Sequence, residues 1–143
     1  MIDRNLDMRI AGGDPIALCY RRQLADGATR ELTGEVYAVT IYRADGSTEP
    51  GWSAASTIEQ DVDGDFASMA LTSGLSASLA GVVGLRWELA EILPGAAPGS
   101  DQPRQRKQGG ALFVSRSAAS VAGTASPFAE PDTDWIIERD DER

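Results

Sequence analysis

Hydrophobic and polar residues alternate at every second position in several short segments of this chain, the period typical of β-strands. The clearest alternation is at Leu85–Ala90. Glu35–Arg43 differs, because it is a run of β-branched and aromatic residues with apolar or β-branched side chains on both faces of the predicted strand. Such a strand is expected in the interior of a sheet that is covered on both sides. The Asp45-Gly46 pair that follows predicts a tight hairpin turn.

The same pattern predicts further strands on both sides of this segment. Short apolar or alternating runs occur at Leu6–Ile10, Ile16–Arg21, Ser56–Gln60, Phe66–Leu71, Leu85–Ala90 and Ala111–Ser115. Thr72–Ala80 predicts one or two helical turns that cross between sheets, and Leu93–Gly110, which is rich in Pro and Gly, predicts a long loop. About seven strands separated by Gly and Asp turns indicate an all-β fold, an antiparallel immunoglobulin-like β-sandwich.

The composition changes after Arg116, which divides the chain into a predicted sandwich domain (residues 1–116) and a C-terminal extended arm (residues 117–143). The arm begins with a linker rich in Ser, Ala and Gly and ends in an acidic segment. Seven acidic and two basic residues follow Phe128, a net charge of −5 out of the −9 of the whole chain. The sandwich is therefore nearly balanced in charge.

An apolar triplet, Trp135-Ile136-Ile137, lies inside the acidic arm. A solvated acidic tail usually lacks such residues, so the triplet and Phe128 are predicted to bind a partner subunit. Packing back onto the chain's own domain and absence of order are the alternatives. If the arm serves a partner, removing residues 128–143 is expected to leave a folded domain.

The composition argues against most catalytic and metal chemistry. The chain has no histidine and one cysteine, which excludes histidine-dependent triads, thiolate zinc clusters and an intrachain disulfide. Cys19 is predicted to be a small buried residue. Asp61, Asp63 and Asp65 alternate around Gly64, but their spacing does not fit a calcium-binding EF-hand loop and favours a polar turn. We expect no catalytic residue, no cofactor and no metal site.

Two further groups of residues are candidate binding sites. Arg104, Arg106 and Lys107 form a basic cluster in the predicted loop, either solvated or docked on an acidic neighbour. Trp52, beside Pro50-Gly51, is the one aromatic residue placed to stack on a sugar, which leaves a glycan-binding module as an alternative function.

Short motifs in residues 4–116 resemble small β-sandwich proteins of tailed bacteriophages, similar to the N-terminal domain of baseplate upper proteins and related tail modules. The motifs are Leu32-Thr33-Gly34 before the central strand, then Leu71-Thr72-Ser73 with Leu75 and Leu79, then Gly84 before Leu85–Leu89. The long Leu93–Gly110 loop and the arm depart from that pattern. The resemblance implies a structural protein with no catalytic residues.

The resemblance and the arm together predict a non-enzymatic structural protein of a tailed phage or phage-like virion, made in the host cytoplasm. The expected partners are other virion proteins, and a homo-oligomer is the alternative kind of assembly. The favoured location is the tail, baseplate or fibre-attachment region, ahead of a capsid decoration (cement) role. A net charge of −9 disfavours nucleic acid and anionic membranes as partners. No run approaches the ~18 apolar residues that a membrane span needs, and no secretory signal is expected.

Overall fold

Nine strands and one short helix form two packed sheets in the computed structural model, which describes Ile2 and residues 6–93, 104–116 and 133–139. The elements are β1 Met8–Ala11, β2 Ile16–Gln23, β3 Val36–Tyr42, β4 Ser53–Ala55, β5 Thr57–Asp61, β6 Gly64–Leu71, α1 Ser73–Leu79, β7 Arg86–Ile92, β8 Arg104–Ser115 and β9 Thr133–Arg139. One sheet has the order β1-β8-β7-β3-β4 and the other the order β5-β6-β2-β9. The predicted all-β sandwich is confirmed.

Most neighbouring strands run antiparallel, as predicted, but two pairs are parallel. β1 runs parallel to β8, and β2 runs parallel to β9. In each pair the two strands lie far apart in sequence, so no tight hairpin dictates that they run in opposite directions. The purely antiparallel sandwich expected from the sequence is therefore wrong for these two pairs.

The core lies between the sheets and is built from alternate residues of the strands. Its largest fully buried side chains are those of Trp87, Tyr20 and Tyr37. The Tyr20 and Tyr37 rings meet across the interface at 4.8 Å between centroids. Trp87 donates a hydrogen bond from Nε1 to the carbonyl oxygen of Leu6, at 2.8 Å. That oxygen lies so close to Gly110 that a Cβ there would come within 2.1 Å of it, so a glycine is needed at this position.

The crossing from one sheet to the other by one or two helical turns is also confirmed. Helix α1 connects β6 to β7, and Thr72 caps it by accepting a hydrogen bond from the Leu75 amide, at 3.2 Å. The helix buries Leu79, and the Ser76 hydroxyl joins the β1–β2 turn by donating to the carbonyl of Asp14. The helix thus closes the end of the sandwich at which β1 and β2 meet.

The long loop predicted at Leu93–Gly110 is too long. Strand β8 begins at Arg104, and its first half pairs with β7 through an irregularity between Leu89 and Ala90. The sequence RQRKQGG has little intrinsic preference for a strand, so the pairing with a well-formed neighbour imposes the conformation. The basic residues Arg104, Arg106 and Lys107 therefore lie in a strand and not, as expected, in a loop.

Candidate docking surface

The predicted apolar triplet of the arm lies in β9, the edge strand of the four-stranded sheet. Because successive side chains of a strand point to opposite faces, the triplet is split between the two faces of the sheet. Ile136 faces the core and is 6% exposed, whereas Trp135 and Ile137 face outward and are 43% and 51% exposed. β9 pairs along its whole length with β2 of the same chain. Packing back onto the chain's own domain, an alternative in the sequence interpretation, is what this structure describes for Thr133–Arg139; Phe128 lies outside the described residues.

Two exposed side chains of β9 belong to a larger cluster on the outer face of this sheet. The Trp135 ring meets the Phe66 ring of β6 at 5.2 Å between centroids. The Arg21 guanidinium of β2 lies over both rings, 5.1 Å from the Trp135 centroid and 5.6 Å from the Phe66 centroid. Ile137 stands opposite Arg21 in the register. We call Arg21, Phe66, Trp135 and Ile137 the aromatic patch.

The charge of Arg21 is neutralised within the fold. Its side chain is buried, donates to the Asp61 carboxylate at 2.5 Å, and also reaches the carbonyl oxygens of Gly64 and Asp65. The hydrogen bond from Arg21 holds the pKa of Asp61 below its usual range. The guanidinium therefore contacts two aromatic rings while its charge is paired with Asp61. The outer surface of this cluster is mainly apolar as a result.

Exposed apolar residues on the other sheet are scattered. Val36 is 43% exposed and Phe113 is 46% exposed, similar to Ile137 and Trp135. Val36 pairs with Ile92 at one end of β7, whereas Phe113 lies two residues beyond the partner of Arg86 at the other end. Single exposed apolar residues are common on soluble proteins, whereas a contiguous cluster suggests an interaction site.

Cys19 lies beneath the aromatic patch, where it pairs with Trp135 in the register and is buried as predicted. Burial is the main cause that raises the pKa of its thiol. The thiolate is the reactive form of cysteine, so the environment of Cys19 favours packing over nucleophilic chemistry.

The carboxylates around the β5–β6 turn have separate protein partners. Asp61 binds Arg21, whereas Asp65 accepts hydrogen bonds from the Leu32 amide at 2.8 Å and from Gln60 Nε2 at 2.7 Å. These two hydrogen bonds lower the pKa of Asp65. Within the described ranges, no three acidic or cysteine side chains come together in a way that could hold a metal ion.

Trp52 lines a groove at one end of the sandwich, with a volume of about 480 Å³. The groove is bordered by the hairpin turn after β3 and by the segment between α1 and β7, with Leu79, Val82, Val83 and Leu85 as its apolar walls. The Arg43 guanidinium lies 4.6 Å from the Trp52 ring centroid and also forms an ion pair with Glu49. Trp52 therefore has apolar neighbours, and it is the one aromatic residue among those that line this groove.

Two buried tyrosines lie at the junction of the sheets near β9. The Tyr20 hydroxyl donates to Glu138 Oε2 at 3.0 Å, and the Tyr37 hydroxyl donates to Glu35. Burial is the main cause that raises the pKa of both phenols, and the adjacent carboxylates raise it further. Both tyrosines therefore act as neutral hydrogen-bond donors that help to hold β9 and the residues before β3.

These raised pKa values predict alkaline destabilisation. Unfolded tyrosine ionises near pH 10, whereas folded Tyr20 and Tyr37 stay protonated, so the unfolded state loses protons first and gains stability as the pH rises. Above about pH 10 the free energy of unfolding should fall by up to about 1.4 kcal/mol per pH unit for each tyrosine. Urea unfolding at pH 8 and pH 11 measures this fall. Tyr20→Phe should remove the contribution of one proton, up to about 1.4 kcal/mol per pH unit, from the slope of the unfolding free energy against pH. An unchanged slope would contradict a raised pKa for Tyr20.

Sequence reasoning found the arm residues but missed the residues that receive them. Arg21 and Phe66 were not predicted as binding residues, although Arg21 is a charged residue in a predicted strand that is otherwise mostly apolar. That anomaly signals a paired or stacked arginine, but only the register identifies its partners. The basic residues Arg104 and Arg106 pair with Ile92 and Ala90, in the other sheet from the aromatic patch.

No protein-family model matches this chain, and a search of curated proteins finds no match either. Among the described residues, no helix has the length and apolar character that a membrane span requires.

Proposed function

We propose that this chain is a non-enzymatic structural protein of a tailed bacteriophage or phage-like virion, which docks onto neighbouring subunits through the aromatic patch. The observation that carries the proposal is the pair of exposed side chains Trp135 and Ile137, beside the half-buried Phe66 ring and the Arg21 that is paired with Asp61. The virion assignment comes from the resemblance of the Leu32–Gly34 and Leu71–Leu89 motifs to phage tail modules.

The composition of the patch supports a protein partner. Aromatic and arginine side chains are enriched in the centres of protein–protein interfaces, and charged groups there are depleted or paired. Arg21 is paired with Asp61, and its guanidinium lies over the Phe66 ring. Side chains that already pack against one another lose less conformational freedom on binding, so more of the contact energy remains as affinity.

The favoured location is the tail, baseplate or fibre-attachment region, with capsid decoration as the alternative. Electron microscopy of assembled particles distinguishes them, because density for this chain would lie on the tail in one case and on the head exterior in the other. Density for the sandwich with the aromatic patch against a neighbouring subunit is the expected result. A patch that faces solvent in every copy would contradict the docking role.

Substitution of Ile137 tests the patch without removing a core residue. We expect Ile137→Glu to reduce incorporation into particles about tenfold or more, since losing an apolar anchor and burying a charge costs on the order of 2 kcal/mol at an interface. Incorporation is measured as the amount of this chain that copurifies with particles from cells in which the variant replaces the native chain.

Val36→Glu provides a matched control. Val36 is an aliphatic strand residue of similar exposure on the other sheet, so its substitution alters the same chemistry away from the aromatic patch. Val36→Glu should incorporate normally, and both variants should unfold at a urea concentration close to that of the native chain. Equal incorporation of the two variants would remove the patch from the docking surface.

A glycan-binding module is the second candidate, supported by the groove beside Trp52. Sugars stack on exposed aromatic rings, and Arg43 together with Asp45 supplies polar groups at the groove wall. Binding to a glycan array that disappears in Trp52→Ala and survives in Ile137→Glu would favour this function over docking.

A further inference from the structure

We propose that β9 exchanges between copies of this chain, so that β9 of one subunit pairs with β2 of the next. The inference rests on the proposed docking function, since β9 carries Trp135 and Ile137 of the aromatic patch, and it adds a second contact, between β9 and the β2 edge of another copy. It follows from three features of the described residues: where β8 ends, where β9 begins, and what the edge of β2 requires of the strand that pairs with it.

The end of β8 and the start of β9 lie at the same end of the sandwich. Ser115, the last residue of β8, pairs with Ala11 of β1, and its carbonyl accepts a hydrogen bond from the Gly12 amide at 2.8 Å. Thr133, the first residue of β9, pairs with Ala17 of β2. The chain passes from Ala11 to Ala17 through the short β1–β2 turn, so the gap that the linker must close is short.

The linker is much longer than this gap requires. Six residue steps from Ala11 to Ala17 cover at most about 22 Å, and two strand spacings of about 4.8 Å complete the path from Ser115 to Thr133. The gap is therefore at most about 32 Å, whereas the eighteen steps from Ser115 to Thr133 along the chain can reach roughly 60 Å. The surplus allows β9 to reach the β2 edge of an adjacent copy.

The edge of β2 is specific for the sequence of β9. Ile136 fills a buried position beside Tyr20, and Glu138 accepts the hydrogen bond from the Tyr20 hydroxyl. Asp134 accepts a hydrogen bond from the Ile2 amide at 3.0 Å, and Trp135 stacks with Arg21. A strand of another sequence would leave the Tyr20 hydroxyl and the Ile2 amide without these acceptors, which identifies a second copy as the occupant.

Exchange preserves these contacts, because the same residues meet whichever chain supplies β9. The balance then depends on concentration: a tether of this length gives the chain's own strand an effective concentration on the order of 1 mM. Subunits that stand side by side in an assembly reach comparable local concentrations. Exchange is therefore expected in crowded arrays, where each arm links two sandwiches.

Mixed disulfide formation tests the exchange directly. One chain carries Gln23→Cys, a second chain of different mass carries Arg139→Cys, and both carry Cys19→Ala to remove the native thiol. Gln23 and Arg139 are partners in the β2–β9 register. The two full-length chains are unfolded together in urea, refolded, oxidised and separated without reductant. A covalent heterodimer in excess of the yield from chance collisions requires β9 of one chain on β2 of the other.

The expected result is a heterodimer whose yield rises with protein concentration and reaches at least severalfold above the control at about 1 mM. In the control the Gln23→Cys chain is mixed with a chain carrying Val83→Cys, a highly exposed position in the segment before β7, so it measures chance collisions. A single chain with both Gln23→Cys and Arg139→Cys should form an internal disulfide at low concentration, which verifies the register.

Two results would overturn the proposal. One is a heterodimer yield equal to the control at 1 mM while the double variant closes internally; the other is failure of the double variant to close, which contradicts the register itself. If no exchange is detected but Ile137→Glu still reduces incorporation into particles, the docking function stands without the exchange. Exchange in the purified chain with no effect of Ile137→Glu on particles would instead remove the docking function.

Discussion

A chain shortened to residues 1–116 is expected to unfold at a much lower urea concentration than the full chain. The truncation removes β9, which pairs with seven consecutive residues of β2 and contributes Ile136 to the core. It also uncovers Tyr20 and removes the carboxylate that its hydroxyl binds. The loss should exceed the roughly 2–5 kcal/mol that deletion of one buried isoleucine side chain costs.

A chain that ends at Arg139 is the matched control, because it keeps every described contact of β9. Its urea midpoint should equal that of the full chain. Equal midpoints for the 1–116 chain and the full chain would show that β9 does not stabilise the sandwich. This expectation replaces the one from the sequence, in which removal of residues 128–143 left the domain intact.

Trp87→Ala should produce the largest loss of stability among single substitutions, about 3–5 kcal/mol in the free energy of unfolding. Trp87, the second residue of β7, is fully buried and pairs with Ile41 of β3 on one side and Gly110 of β8 on the other. The cavity left by an alanine cannot collapse easily, since strands on both sides hold the sheet in register. Urea unfolding monitored by circular dichroism measures the change, because it does not depend on tryptophan fluorescence.

Trp87→Phe separates the hydrogen bond from the packing. Phenylalanine keeps most of the apolar contact but leaves the Leu6 carbonyl without the donor that Nε1 supplies. The expected loss is about 1–3 kcal/mol, smaller than for alanine. If Trp87→Phe loses no stability, the hydrogen bond to Leu6 does not couple the N-terminal segment to the core.

One strand connects folding and docking in this protein. β9 provides Ile136 to the core on one face and Trp135 and Ile137 to the aromatic patch on the other. Because the two roles use opposite faces of the same strand, Ile137→Glu can impair docking while the fold persists. The same separation would let an exchanged strand complete a neighbour's core and its docking surface together.

The sequence predicted the strands whose own residues are suited to a buried pleat. β3 is a continuous run of β-branched and aromatic residues, β7 alternates clearly, and the turns beside them carry the Gly and Asp residues that such turns need. β4 and the first half of β8 were missed, since Ser53–Ala55 is short and has no large apolar side chain and RQRKQGG lacks alternation. Their strand conformation depends on neighbours that already form a sheet, which no local pattern reveals.

The central strand with its Asp-Gly turn, the absence of histidine and the anomalous Trp135-Ile136-Ile137 triplet were fixed by the order of residues alone. They predicted an all-β fold and a binding role for the arm, because the strand period, the turn residues and the composition are properties of short segments of the chain. Only the tertiary structure decided that Thr133–Arg139 forms the edge strand beside β2 and that Arg21 and Phe66 meet Trp135. Those contacts join residues that lie far apart in the chain, and parallel pairing of two distant segments leaves no periodic signature in the sequence.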